Sequence, residues 1–147
     1  MTAGGIGAVI VAAGRGERAG QSSEGPKQYR RIGGVPVIRR TLEAFLAHPR
    51  IDAVAVAIHA DDAQLFAQAA GELSGKVLAV PGGATRQAST RLALAALGDR
   101  KLDKVLIHDG VRPFVDAALI DRVIDGIGAG SEGRVGSLPA LAVSDTL

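Results

Sequence analysis

Residues 6–28 read IGAVIVAAGRGERAGQSSEGPKQ. Ile6 to Ala12 is an apolar run rich in β-branched side chains, the pattern of a strand buried on both faces. Ala13-Gly14-Arg15-Gly16-Glu17-Arg18 follows, then a polar, glycine-rich stretch ending in Pro26-Lys27. Glycines placed directly after a buried strand let the backbone turn sharply and bring bare N–H groups close to a ligand. Arg18 and Lys27 add two cations to the same loop. Backbone donors beside fixed cations suit a polyphosphate.

Working outward, the same kind of apolar run recurs and alternates with helical patterns. Residues 13–30 read as a long loop, because the glycines and Pro26 interrupt any helix. Gly33-Gly34-Val35-Pro36 is a turn, and Val37–Ala47 a helix with Ile38, Leu42, Phe45 and Leu46 on one face. Ala53–Ile58 is a second buried strand, and Asp61 caps a helix through about Glu72 with Leu65, Phe66 and Ala69 facing inward. Lys76–Val80 is a third strand, Thr85 to Leu97 a helix, and Lys104–Ile107 a fourth strand. Asp116 caps a helix through Ile127, and Arg134–Val143 holds a last strand. Strand alternating with helix predicts an α/β fold, with a mainly parallel sheet covered on both faces. Ligands of such sheets sit at the carboxyl ends of the strands. Three of those ends are chemically rich: Gly14–Lys27, Gly82–Ser89 and Asp109–Arg112.

Composition narrows the function classes. The 147 residues fit one ordinary domain, and 47% hydrophobic content can build a real core. Seventeen basic residues against fifteen acidic ones leave a net charge of only +2. Aromatics at 3% and the lack of a Lys/Arg-rich run argue against a nucleic-acid surface. Without cysteine there is no disulfide framework, thiolate metal site or cysteine nucleophile. No stretch approaches a membrane-spanning length or a signal sequence, so the expected setting is soluble and cytoplasmic.

Gly14-Arg15-Gly16-Glu17-Arg18-Ala19 matches the G-x-G-x-x-A dinucleotide fingerprint. That reading needs a helix opening within the glycines and an acidic residue about 20 positions on. Gly20, Ser22, Ser23, Gly25 and Pro26 follow instead, and the second strand ends too late, so the dehydrogenase reading loses. Lys27 follows Pro26, whose fixed backbone limits where the lysine points; its ammonium would stabilise charge during nucleotidyl transfer. In Pro81-Gly82-Gly83-Ala84-Thr85-Arg86-Gln87-Ala88-Ser89 the glycines admit a flat base, and Ser89 could read its edge. A plain helix start capped by Thr85 is an equal alternative there. Asp109 in His108-Asp109-Gly110-Val111-Arg112-Pro113 can hold a ribose hydroxyl or a Mg²⁺-bound water, against a structural pair with Arg112. His108 reads as structural, and His48 and His59 as surface or turn residues. Asp145-Thr146 alone reads as a cap or turn.

Together AAGRGERAG, GPKQY, GGATRQAS, HDGVRP and SDT resemble, in order and spacing, the 2-C-methyl-D-erythritol 4-phosphate cytidylyltransferases. The resemblance covers about Ile6 to Thr146, and relatives that make CDP-ribitol share much of it. It implies a three-layer, Rossmann-like nucleotidyltransferase fold, C-terminally incomplete here. It implies that Ala12, Ala13, Gly14 and Gly16 line a CTP site, with Arg15 and Ala84 among the nucleotide-binding residues. Arg18 and Lys27 would be catalytic, gripping the triphosphate. Gly83 and Ser89 would contact the cytosine, and Asp109 and Gly110 would lie at the ribose, with Asp109 at a Mg²⁺. Arg112 and Thr146 would face the phosphate of a polyol phosphate acceptor, across the interface of an expected homodimer, with no nucleic acid or membrane as partner. Family members often carry an acidic residue where this chain has Ala84, which shifts base recognition toward backbone. The family continues well past Leu147, with a further catalytic lysine, an acidic metal-site residue and much of the dimer arm. The chain therefore reads as cut, with its nucleotide cradle kept and its turnover poor, and a fused cyclase as one possible continuation.

Overall fold

The computed structural model describes residues 4–16, 23, 25–128, 133 and 135–142. In chain order the strands are β1 (Gly5–Ala12), β2 (Arg31–Ile32), β3 (Val35–Pro36), β4 (Ala53–Ile58), β5 (Leu78–Pro81) and β6 (Leu102–Asp109). The helices are α1 (Val37–Leu46), α2 (Ala63–Ala70), α3 (Arg86–Leu97) and α4 (Ala117–Gly126). Two compact units are present, Met1–Phe114 and Val115–Leu147.

The first unit is built on a four-stranded sheet in the order β5-β4-β1-β6, parallel at every pairing. β1 is central, and Ala8, Val9 and Ile10 are fully buried, as the continuous apolar run requires. Alternation splits the sheet into two faces. Val9, Ala55 and Ala57 form a core with Ala93 and Leu97 of α3. The opposite face meets α1, where the Phe45 ring lies 4.9 Å from that of His108. Ile38, Leu42 and Phe45 of α1 are buried at 2% exposure or less, and burying each such side chain contributes about 1.5–3 kcal/mol. The expected α/β architecture, a mainly parallel sheet with helices on both faces, is what this unit has.

The glycine-rich turn at Gly33-Gly34 is a small antiparallel hairpin of β2 and β3. Both glycines have positive φ, the backbone that a two-residue hairpin demands.

Several boundaries differ from the expectation. Asp61 does not cap α2: residues Ala60–Asp62 form a 3-10 turn, and His59 supplies the accepting side chain to the Asp61 N–H. α2 then ends at Gly71, whose φ is +59°, and Leu65 is exposed rather than inward. His48 is buried, not at the surface; its Nδ1 accepts from the Arg50 N–H at 3.2 Å. His59 is half-buried and partnered rather than a bare turn residue.

In the second unit Asp116 caps α4 as expected, its carboxylate accepting from the Leu119 N–H at 2.7 Å. Residues 135–142 form no strand, which corrects the last strand expected over Arg134–Val143; Arg134 and Val143 lie outside the described residues. Val135, Leu138 and Leu141 are exposed, so the run is apolar but pairs with no strand among the described residues.

No helix among the described residues is long and apolar enough to cross a membrane.

Candidate functional site

β1, β5 and β6 all end at one edge of the sheet: Val11 stands level with Asp109, and Ile58 with Pro81. A cleft of about 360 Å³ opens at this edge. Ala12, Ala13, Gly14, Gly16 and Lys27 line one side; Gly83, Ala84, Thr85, Arg86 and Ser89 line the other, with Asp109 and Val111 at the end of β6.

The loop after β1 is shaped by one glycine and one glutamine. Gly16 has φ +66°, a left-handed conformation that few side chains adopt. Gln28 is buried, and its Nε2 donates to the carbonyls of Ala12 at 2.8 Å and Gly14 at 3.0 Å. It sits in the 3-10 turn Lys27–Tyr29, so the turn that carries Lys27 is tied to the end of the central strand.

The turn after β5 is held differently. Thr85 caps α3, accepting from the Ala88 N–H at 3.0 Å. The Ser89 hydroxyl accepts from the Gly83 N–H at 3.1 Å and donates to the Thr85 carbonyl at 3.0 Å. Ser89 thus lines the cleft while its hydroxyl is engaged in shaping the Gly82-Gly83 turn. A side chain at Gly82 would run into Ala13 Cβ, and one at Gly110 would come within 2.8 Å of Ala12 Cβ.

Asp109 closes the far end with both oxygens taken. Arg86 pairs with Oδ1, and Arg112 Nε donates to Oδ2 at 3.0 Å. Burial alone would raise the Asp109 carboxyl, but the hydrogen bonds and charges of Arg86 and then Arg112 hold it below the ordinary carboxylate range. Both the structural pair with Arg112 and the strand-end position are therefore present. His108 is structural as expected: its Nε2 donates to the Arg112 carbonyl at 2.8 Å.

Among the described residues no cluster of three or more His, Asp or Glu side chains could hold a metal ion alone. Asp109 is a single carboxylate in the cleft, a donor that fits a divalent cation taking most of its ligands from elsewhere.

The structure gathers Ala12, Ala13, Gly14, Gly16, Lys27, Gly83, Ala84, Ser89 and Asp109 around one cleft. Gly110 lies beneath it, its N–H donating to the Val11 carbonyl at 2.9 Å and its carbonyl accepting from Thr41 Oγ1 at 2.9 Å. Arg112 borders the cleft only through Asp109. Arg15 points elsewhere, onto His59 and Asp62. Arg18 and Thr146 lie outside the described residues. Sequence reasoning missed Gln28 and Arg86. Arg86 stood in the quoted GGATRQAS stretch, at the first position of α3, where its reach to β6 has no local signal.

A glycine-rich loop, a lysine and a carboxylate converge at the carboxyl ends of parallel strands, the place where α/β proteins hold their ligands. The family model of 2-C-methyl-D-erythritol 4-phosphate cytidylyltransferase (IspD) matches residues 6–147, and the chain belongs to that family. It is similar to the bifunctional enzyme IspD/IspF of Chelativorans sp. strain BNC1, 61% identical over 142 residues covering 97% of this chain and 34% of that protein. The IspD/IspF of Mesorhizobium japonicum is likewise 61% identical, over 98% of this chain and 34% of its own. The chain thus spans about a third of the length of these curated relatives. Among solved structures, 4-diphosphocytidyl-2C-methyl-D-erythritol synthase from Anaerococcus prevotii superposes with a TM-score of 0.69 at 32% identity, covering 83% of this chain and 50% of that one. A Mycobacterium tuberculosis protein solved in complex with manganese superposes at 0.64 and 26% identity, covering 84% of this chain and 60% of that one.

Proposed function

We propose that this chain binds CTP and forms the nucleotide side of a site that transfers CMP to 2-C-methyl-D-erythritol 4-phosphate, releasing pyrophosphate. The observation that carries the reading is the cleft itself: Lys27 and the Gly14–Gly16 backbone on one wall, Gly83 and Ser89 on the other, Asp109 at the end. Membership of the cytidylyltransferase family supports the choice of nucleotide and acceptor.

In this reading a phosphate oxygen of the acceptor attacks the α-phosphorus of CTP in line. The new bond joins that oxygen to phosphorus, and the bond to the bridging oxygen of pyrophosphate breaks. The protein contributes positioning and charge stabilisation, with no covalent intermediate. Lys27, held through its neighbour Gln28, faces the charge that grows on the phosphates; Arg18 is assigned the same task. Gly83 and Ala84 leave room for the base, read through backbone groups. Arg112 and Thr146 are assigned to the acceptor phosphate, and the full-length protein is read as a homodimer. A divalent cation, taken as Mg²⁺ and in keeping with the manganese-bound neighbour, supplies charge neutralisation on the phosphates when bound. Asp109 would hold it, sharing its carboxylate with Arg86 and Arg112.

Thermal stabilisation by ligand tests this directly, since a ligand that binds only the folded state raises its melting temperature. Mg·CTP should shift the transition, and Mg·UTP, Mg·ATP and NAD should not. A shift selective for UTP or ATP moves the chain to another nucleotidyltransferase specificity; no shift with any of them refutes the nucleotide reading. Turnover of residues 1–147 compared with the extended protein then tests whether this part is sufficient.

A further inference from the structure

Arg15 stands between Gly14 and Gly16, yet its side chain leaves the cleft that those glycines line. Its Nη1 donates to Asp62 Oδ1 at 2.9 Å, and its Nη2 to His59 Nδ1 at 2.7 Å. The Asp61 carboxylate is a looser third partner, at 3.5 Å. His59 Nδ1 faces the Arg15 guanidinium and the Asp61 N–H, with the Asp61 carboxylate 3.7 Å away.

Asp62 is the unusual member. Its side chain is 5% exposed, and a buried carboxylate is costly unless something compensates it. It immediately precedes α2 but makes no capping hydrogen bond there. Its hydrogen-bonded ion partner among the described residues is Arg15. Its Oδ2 and the buried Tyr29 hydroxyl both lack hydrogen-bond partners among the described residues. Burial, and then the Asp62 charge, push the Tyr29 phenol well above its ordinary range, while Arg15 opposes this. Asp62 therefore bears on both segments of the loop: on Arg15 by a hydrogen bond, and on Tyr29, at the end of the 3-10 turn, by its charge.

We propose that Asp62 is a positioning residue for the nucleotide: it acts through Arg15 to hold Gly14–Gly16 in the shape that receives the phosphates. This rests on the nucleotide reading above, and it makes Arg15 a tether rather than a phosphate ligand. The sign of the effect separates the two roles. A carboxylate near an anion site repels the anion, so removing its charge helps binding through the field alone. Removing it harms binding only if the carboxylate is needed for shape.

The test is calorimetric titration of Mg·CTP into the intact protein and its Asp62→Asn, Arg15→Gln and doubly substituted variants, with melting temperatures alongside. Each single variant should weaken CTP roughly tenfold, the scale on which a small misplacement of a loop is felt. The double variant should be no weaker than the worse single one, because both act on one path. Asp61→Asn, at an exposed and looser partner, should leave affinity unchanged. CTP binding by Asp62→Asn equal to or tighter than wild type overturns the proposal; weakening by Arg15→Gln alone would then make Arg15 a phosphate ligand. Lower melting temperatures with unchanged affinities would leave the pair merely structural and also overturn it. Should Asp62→Asn not fold, Arg15→Gln must still weaken CTP, and Asp62→Glu, which keeps the charge, must restore binding to within a few-fold; failure of either refutes it. A wild-type protein that does not bind CTP refutes the nucleotide reading itself.

Discussion

The two walls of the cleft are built on opposite plans. In the wall after β5 the turn itself is tied locally, Thr85, Ser89 and Gly83 bonding across three to six positions of sequence, while Gly82 and Arg86 reach Ile58 and Asp109. The wall after β1 is held from afar: Gln28 reaches back 14 and 16 positions, and Arg15 reaches forward 47 to Asp62. A locally tied turn forms whenever its helix forms. A remotely tied loop has the right shape only once the surrounding fold is complete. The wall that receives the phosphates in the proposed reaction is thus the one most sensitive to distant substitutions.

Substitutions on the two walls measure that difference. The largest effect is expected at the remotely held wall, from Lys27→Gln in the full-length protein. Turnover should fall by about 10²–10³-fold, the usual cost of losing one preorganised charge, while CTP affinity falls far less. Parallel losses in both would reduce Lys27 to a simple binding group. Gln28→Leu should come next, leaving the Ala12 and Gly14 carbonyls without their donor and costing about 1–3 kcal/mol in urea unfolding. Ser89→Ala, on the local wall, should cost about 0.5–1.5 kcal/mol, because the helix and its Thr85 cap keep the turn in place. If Ser89→Ala proves the more damaging of the two, the contrast between the walls is wrong.

Arg86→Gln should have the smallest effect on stability at neutral pH, below about 1 kcal/mol for an exposed pair. Its signature is in acid. The carboxyl of Asp109 is depressed in the folded state, so its contribution is complete above the ordinary carboxylate range. It is lost as pH falls through the depressed value. Without Arg86 that value rises, and acid unfolding followed by circular dichroism should begin at a higher pH than in wild type.

The same contrast explains what could be read in the sequence. β4 was legible to the residue, because Ala53–Ile58 is a pure apolar run with clear ends. The Thr85 and Asp116 caps were legible because a cap acts across three positions. The cleft was legible as a set of strand ends, since a parallel sheet brings them to one edge. Arg15 was not: nothing in a glycine loop says that a carboxylate 47 residues away will take its guanidinium. Gln28 and Arg86 were missed for the same reason. Asp61 looked like a cap by composition, but the chain used the His59 ring in that place. Residues 135–142 have the apolar content of a strand, but content alone supplies no neighbour to pair with.

The floor of the cleft has a consequence for how such a site can change over generations. Ala12 and Ala13 close the end of the central strand, and Gly82 and Gly110 pass so near them that neither position has room for one added carbon. Gly14, by contrast, faces open space. Drift is therefore barred at Gly82 and Gly110 and has room at Gly14. Descendants of this sequence can vary the rim, where the proposed reaction would place its variable contacts, while the close-packed floor stays as it is.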